Sequence, residues 1–217
     1  MAQNPFQNIP VVTRNLLYVN VIMFVATLIN PSFMKDTFAM AFPLGADFRW
    51  WQPVTHLFMH DGFMHIFFNM YTLVMFGMVV ERALGTKKFL WFYFITGFGA
   101  VLLHTAVEFL QVQQLLAKYP GVDPQAIYNS IPGVLGASGA VYGVLVAFAM
   151  LYPQARLTLI FPPITLDAKW WVIIFIGIEL VTGITGTQMG VAHFAHLGGA
   201  LFGWLLIRYW RKKRQIY

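Results

Sequence analysis

The sequence predicts an all-α integral membrane protein of six transmembrane helices with both termini in the cytoplasm. Three observations predict it: an apolar composition, six helix-length apolar runs and a lopsided distribution of lysine and arginine. Hydrophobic residues make up 59% of the 217 and charged residues 10%, with a mean hydropathy of +0.65. A soluble domain averages about 45–50% apolar and about 25% charged, so this chain must turn much of its surface to lipid. The apolar runs fall at about 14–30, 63–81, 89–110, 135–151, 170–187 and 190–209, each near the roughly 20 residues that cross a bilayer core. The fifth and sixth are nearly continuous, with Gly183, Gly186 and Gly190 as turn signals between them.

An even number of spans puts both termini on one side, and the basic residues choose the side. With the termini inside, the inner segments hold Arg14, Arg82, Lys87, Lys88, Arg156, Lys169, Arg208, Arg211, Lys212, Lys213 and Arg214, and the outer loops hold Lys35, Arg49 and Lys118. Basic residues favour the cytoplasmic side, so the termini are expected there. Met1 to Pro10 lacks the basic flank, short apolar core and cleavage site of a signal peptide, so the first run is expected to stay as a span. The net charge of +6 comes from residues at span ends and from the Arg211–Arg214 cluster. That pattern fits the anionic surface of a lipid bilayer and not nucleic acid. The absence of cysteine excludes disulfides, thiolate metal sites and a cysteine nucleophile.

The connection from Pro31 to Gly62 is long and rich in aromatic residues and proline, including Phe42, Pro43, Phe48, Trp50, Trp51 and Pro53. It is expected to lie partly helical in the membrane interface. The stretch from Gln111 to Val134 is polar and punctuated by Pro120, Gly121, Pro124 and Pro132, as a loop over the outer face would be. No repeat, linker or second domain is visible, so residues 1–217 read as a single membrane domain.

The chemistry concentrates in Gly136-Ala137-Ser138-Gly139-Ala140-Val141-Tyr142-Gly143, a serine between glycines at the start of the fourth run. A hydroxyl becomes a nucleophile when a base takes its proton, and the flanking glycines remove side chains that would block a carbonyl. The candidate base lies in Ala192-His193-Phe194-Ala195-His196-Leu197-Gly198-Gly199. Gly139 and Gly143 form one GxxxG pair and Gly199 and Gly203 another, the spacing at which helix backbones approach closely in lipid. Ser138 and Tyr142 border the first pair, and His196 shares the face of the second. Contact between these faces would bring Ser138 to His196. With this topology the outer ends of spans two, four and six carry His65 and Asn69, Ser138, and His193 and His196, all at helix N-termini, whose unpaired N–H groups suit an oxyanion.

Three motifs in this order resemble those of the rhomboid intramembrane serine proteases: His56-x3-His60-x4-His65-x3-Asn69, a GxSGxxxG-like stretch at Gly136–Gly143, and Ala195-His196-x-Gly198-Gly199. The resemblance covers most of the chain. It implies a six-helix rhomboid-like bundle and a Ser–His dyad, with Ser138 as nucleophile and His196 as general base. His65, Asn69 and the Ser138 amide would form the oxyanion hole, with Tyr142, Gly136 and Gly139 in support. It further implies an endopeptidase acting on single-span membrane-protein substrates, with no cofactor and no metal, in a bacterial cell (inner) membrane. By the same resemblance, His56 and His60 tie the outer loop to the site. The family often has Trp-Arg where this chain has Trp51-Gln52.

Other readings weigh against these. His193, one turn before His196, is the competing base. His56, His60 and Asp61 have a spacing that could serve zinc or iron, but no HExxH helix accompanies them. Glu179, a lone acid in span five, reads as a bonded or protonated structural group, or with His104 as a proton path in a small transporter. His104 and Glu108 are spaced to pair with each other. Glu81-Arg82 followed by Gly85 matches a family motif and reads as an interfacial anchor. A non-catalytic rhomboid-like protein that binds transmembrane helices is the remaining alternative.

Overall fold

The computed structural model describes residues 8–159, 162–186 and 192–216. Helix α1 spans Val11–Ile29. The second long helix, Phe63–Leu84, consists of α4 (Phe63–Thr72) and α5 (Met78–Leu84) joined by a π-helical turn at Leu73–Gly77. After it come α6 (Thr86–Lys118), α8 (Ser138–Leu151), α9 (Ala168–Thr185) and α10 (His193–Lys212). Short helices α2 (Pro31–Phe38), α3 (Gln52–Thr55) and α7 (Pro124–Ser130) lie in the connections. The second, fifth and sixth runs thus begin or end within a few residues of expectation. Residues 187 and 190–191, in the expected turn between the last two runs, lie outside the described residues.

One expectation needs correction. The third run does not stop at 110, because α6 continues to Lys118 and is 33 residues long, about 50 Å at 1.5 Å per residue. The segment Gln111–Lys118 is polar, but its Gln, Leu, Ala and Lys residues are all strong helix formers, and no breaker comes before Pro120-Gly121. The described residues are otherwise mostly helical, as an all-α membrane protein is expected to be, apart from one short hairpin. Strands β1 (Arg156–Thr158) and β2 (Thr165–Asp167) pair antiparallel between α8 and α9, too short to show a period.

Among the described residues, four helices are long and apolar enough to cross a membrane: α1, Phe63–Leu84, α6 and α9. Their outer surfaces suit lipid. In α1 the residues Val12, Leu16, Asn20, Phe24 and Thr27 are buried in one stripe, yet Tyr18, Ile22, Val25, Leu28 and Ile29 on the other side are exposed and equally apolar. In water that face would be polar. The N-terminus of α1 has no side-chain cap of its own. The Glu81 carboxylate of α5 supplies one, accepting from the Val12 and Thr13 amides at 2.9 and 2.7 Å and from Thr13 Oγ1 at 2.8 Å. A buried anion here satisfies orphan N–H groups and meets the positive end of the helix dipole. Glu81, read from sequence as an interfacial anchor, is 1% exposed. Glu81→Ala is expected to lower stability by on the order of 3 kcal/mol, because two buried amides lose their acceptor. Thermal unfolding in detergent checks this, and a midpoint within a degree or two of wild type would count against the cap.

The middle of the bundle is α8, α6 and α10. Phe89, Phe92, Tyr93, Val144, Ala147 and Ile207 are buried at their contact. The two glycine pairs face each other: a Cβ on Gly199 would lie 1.8 Å from the Gly139 carbonyl oxygen, and one on Gly203 would lie 2.9 Å from Gly143 Cα. Backbone therefore touches backbone along α8 and α10.

Above this core the two outer connections hold each other. Met40 and Val134 form an antiparallel bridge, and the Phe42 and Tyr128 rings stack at 5.5 Å. Gln52, next to Trp51 in the first outer connection, is fully buried. Its Oε1 accepts from the Ala41 and Arg49 amides and its Nε2 donates to the Asp47 carbonyl. A neutral amide does this without burying a charge. Lys35 pairs with Asp61 at 2.7 Å across the same loop.

Candidate active site

Ser138 is the first residue of α8, and its Oγ lies 2.8 Å from Nε2 of His196 in the first turn of α10. The glycine contacts one turn below bring the two helices close enough for this hydrogen bond. The Tyr142 ring, one turn along α8, stacks on the His196 ring with centroids 4.4 Å apart and planes 7° from parallel. That leaves the imidazole little freedom to turn.

The first turn of α4 adds a second group. His65 Nδ1 accepts from the Asp61 amide at 3.3 Å, which assigns its proton to Nε2. A Cβ on Gly136 would meet that Nε2 at 2.8 Å and Ser138 Oγ at 3.6 Å. Gly136 thus lines the gap between His65 and Ser138. Its φ of 129° is a conformation that glycine alone adopts readily, and its amide is held by the His56 carbonyl at 2.9 Å. Asn69, one turn from His65, donates from Nδ2 to the His65 carbonyl at 2.9 Å, and the amide retains a second N–H.

His56 and His60 lie beneath the loop, 3% and 1% exposed. His56 Nδ1 is 3.0 Å from the Gln52 carbonyl, and burial lowers its pKa to about 4. Burial, and then the neighbouring His65, lower that of His60 to about 3. Both rings are therefore neutral at pH 7, and the His60 ring packs edge-on against His65 at 5.0 Å. Among the described residues no three His, Asp or Glu side chains are grouped to hold a metal ion. His104 pairs with Glu108 at 3.1 Å, and among the described residues it shares no partner with Glu179.

Glu179 is the residue whose place the sequence did not reveal. One carboxylate oxygen, Oε1, accepts from the Tyr142 hydroxyl and lies 2.9 Å from His196 Nδ1. The His196 contact has the distance of an ion pair, although the ring N–H is not aligned for a linear hydrogen bond. The other oxygen lies 2.6 Å from His193 Nδ1, which is also 3.1 Å from Thr182 Oγ1. His193 therefore faces the carboxylate, and His196 faces the serine. A signal for this was present: Glu179 lies seven residues before Gly186 and His193 seven after it. A turn there puts them at one depth on adjacent antiparallel helices.

A family model, the Rhomboid domain, matches residues 47–213. The chain belongs to the rhomboid family. The matched span contains the Ser138–His196 pair, His65, Asn69 and Glu179. With its apolar helices, membership makes this rhomboid a multi-pass integral membrane protein. It is similar to Rhomboid protease AarA of Providencia stuartii, at 30% identity over 72% of this chain and 54% of that protein. It is also similar to the mitochondrial Rhomboid protein 1 of Saccharomyces cerevisiae, at 30% over 73% and 42%. The mitochondrial presenilin-associated rhomboid-like protein of Homo sapiens matches at 31% over 70% and 36%. The chain thus spans about half or less of the length of these relatives.

Proposed function

We propose that this rhomboid is an intramembrane serine endopeptidase that hydrolyses a peptide bond in or beside the transmembrane segment of single-span membrane proteins. The 2.8 Å contact between Ser138 Oγ and His196 Nε2 is the observation that carries the reading. Ser138 attacks the scissile carbonyl while His196 Nε2 takes its proton, and His196 returns that proton to the leaving amine. Water then repeats the cycle on the acyl-enzyme. The negative charge on the tetrahedral oxygen is met by the Ser138 amide, by His65 Nε2–H and by the Asn69 amide. Tyr142 keeps the His196 ring in place.

The whole chain is read as one membrane domain of six spans, with α8 and α10 as the fourth and sixth and both termini cytoplasmic on the excess of inner lysine and arginine. A bacterial inner membrane is the proposed location. Helix α8 has 14 residues, about 21 Å against a hydrocarbon core of about 30 Å, so with its inner end at the inner boundary its outer end would lie roughly 10 Å below the surface. That depth supports cleavage within the bilayer. It also requires a water path, for which the polar His65, Asn69 and His193 on the outer side are suited.

Cleavage of a single-span substrate by the purified protein in liposomes tests the reading. Ser138→Ala and His196→Ala are each expected to reduce the rate at least about 10³-fold. His193→Ala is expected to keep more activity than His196→Ala, since its ring faces Glu179. Equal or greater loss in His193→Ala would make it the base instead. Cleavage that survives Ser138→Ala would overturn the serine mechanism, and a wild-type protein that binds single-span helices without cutting them would make this a non-catalytic rhomboid.

A further inference from the structure

Helix α9 is the outlying member of the bundle, and only Ala168, Trp171 and Glu179 along it are buried. Ile173, Ile178, Leu180, Val181 and Ile184 are exposed, as lipid-facing residues would be. The one acid of this helix is thus turned inward, with 10% of its side chain exposed. A carboxylate in such a place is costly unless it is paired and hydrogen-bonded. Here Glu179 has three partners, Tyr142, His193 and His196, and two of them are in contact with each other through the Tyr142–His196 stack.

We propose that Glu179 is a positioning residue of the active site, an ionised carboxylate that orients His196 and makes the constellation a Ser–His–Glu triad. The inference rests on the reading of Ser138 and His196 as the reacting pair. A carboxylate beside Nδ1 selects the tautomer that carries its proton there and leaves the Nε2 lone pair directed at Ser138 Oγ. When Nε2 accepts the serine proton, the imidazolium carries a positive charge 2.9 Å from Glu179 Oε1. Glu179 stays ionised throughout, and the proton leaves from Nε2 to the departing amine. The off-line approach of Nδ1–H in the free protein is the kind of contact that tightens once the ring is charged. Tyr142 has a second task in this arrangement: its hydroxyl holds Oε1 at the edge of the ring on which its face is stacked. His193 and Thr182 hold the other side.

The competing role is purely structural, a polar tie between α9 and α10. Glu179→Gln separates the two, because it keeps the size and an acceptor for Tyr142 while removing the charge. With substrate titrated in liposomes, kcat is expected to fall about 10²-fold or more. KM should stay within about twofold and the thermal midpoint within a few degrees. Unchanged kcat, whether or not the midpoint falls, would overturn the proposal. If Glu179→Gln does not fold, Glu179→Asp decides, since it keeps the charge but withdraws it by one methylene. A kcat lowered at constant KM supports the triad, and a wild-type kcat refutes it. Ser138→Ala and His196→Ala run in parallel keep the two readings distinguishable. If they abolish cleavage while the Glu179 variants cleave normally, only the triad is lost.

Discussion

Gly199→Ala is expected to lower stability by about 3 kcal/mol or more and to slow cleavage at least about 10²-fold. The new Cβ would lie 1.8 Å from the Gly139 carbonyl oxygen and 2.6 Å from its carbonyl carbon. Both are backbone atoms of α8, so no side chain can rotate away and the two helices must part. In lipid, helices are held by close packing and not by exclusion of water, so separation forfeits contact along the whole seam, including that between Gly203 and Gly143. It also withdraws His196, one turn away on the same helix, from its 2.8 Å contact with Ser138. Gly177 of α9 is the control. A Cβ there meets nothing within 4 Å, and Gly177→Ala should be neutral or stabilising by up to about 1 kcal/mol. Thermal unfolding and cleavage measured side by side give the answer, and equal behaviour of the two variants would disprove a tight seam.

Gly136→Ala should abolish cleavage, by about 10³-fold, with a smaller loss of stability of about 1–3 kcal/mol for the strained backbone. Two separate demands meet at this residue. Its φ of 129° disfavours any side chain, and a methyl group would stand 2.8 Å from His65 Nε2 and 3.6 Å from Ser138 Oγ. That is where the oxygen of an attacked carbonyl would have to sit in the proposed reaction. A methyl there both fills the space and pushes His65 off its line to the oxyanion. The comparison to make is kcat/KM against the thermal midpoint. A variant that unfolds earlier yet cleaves at close to the wild-type rate would show that Gly136 serves the backbone alone.

These predictions draw on different amounts of sequence. The meeting of α8 with α10 was legible, because glycines four apart on two apolar helices leave few other ways to pack. Once the backbones touch, Ser138 and His196 follow from their places one turn from the glycines. The His65–Asn69 pair was legible for the same reason, as i, i+4 neighbours at the end of a span. The extension of α6 to Lys118 was not legible from polarity, which points to a loop there, although helix propensity is strong along the segment.

The sequence by itself determined that this chain lives in a membrane, roughly where its long apolar helices fall, and which small residues let two of them converge. Composition and the spacing of glycines act locally or along one helix, so they can be read without knowing the fold. Only the tertiary structure decided which way other polar groups between helices turn: His193 to Glu179, Glu81 to the start of α1, and Gln52 into the loop. A helix that is apolar nearly all round, as α9 is, has no polar face to orient it. The direction of its single carboxylate was set by the hydroxyl and imidazole groups that neighbouring helices brought within reach.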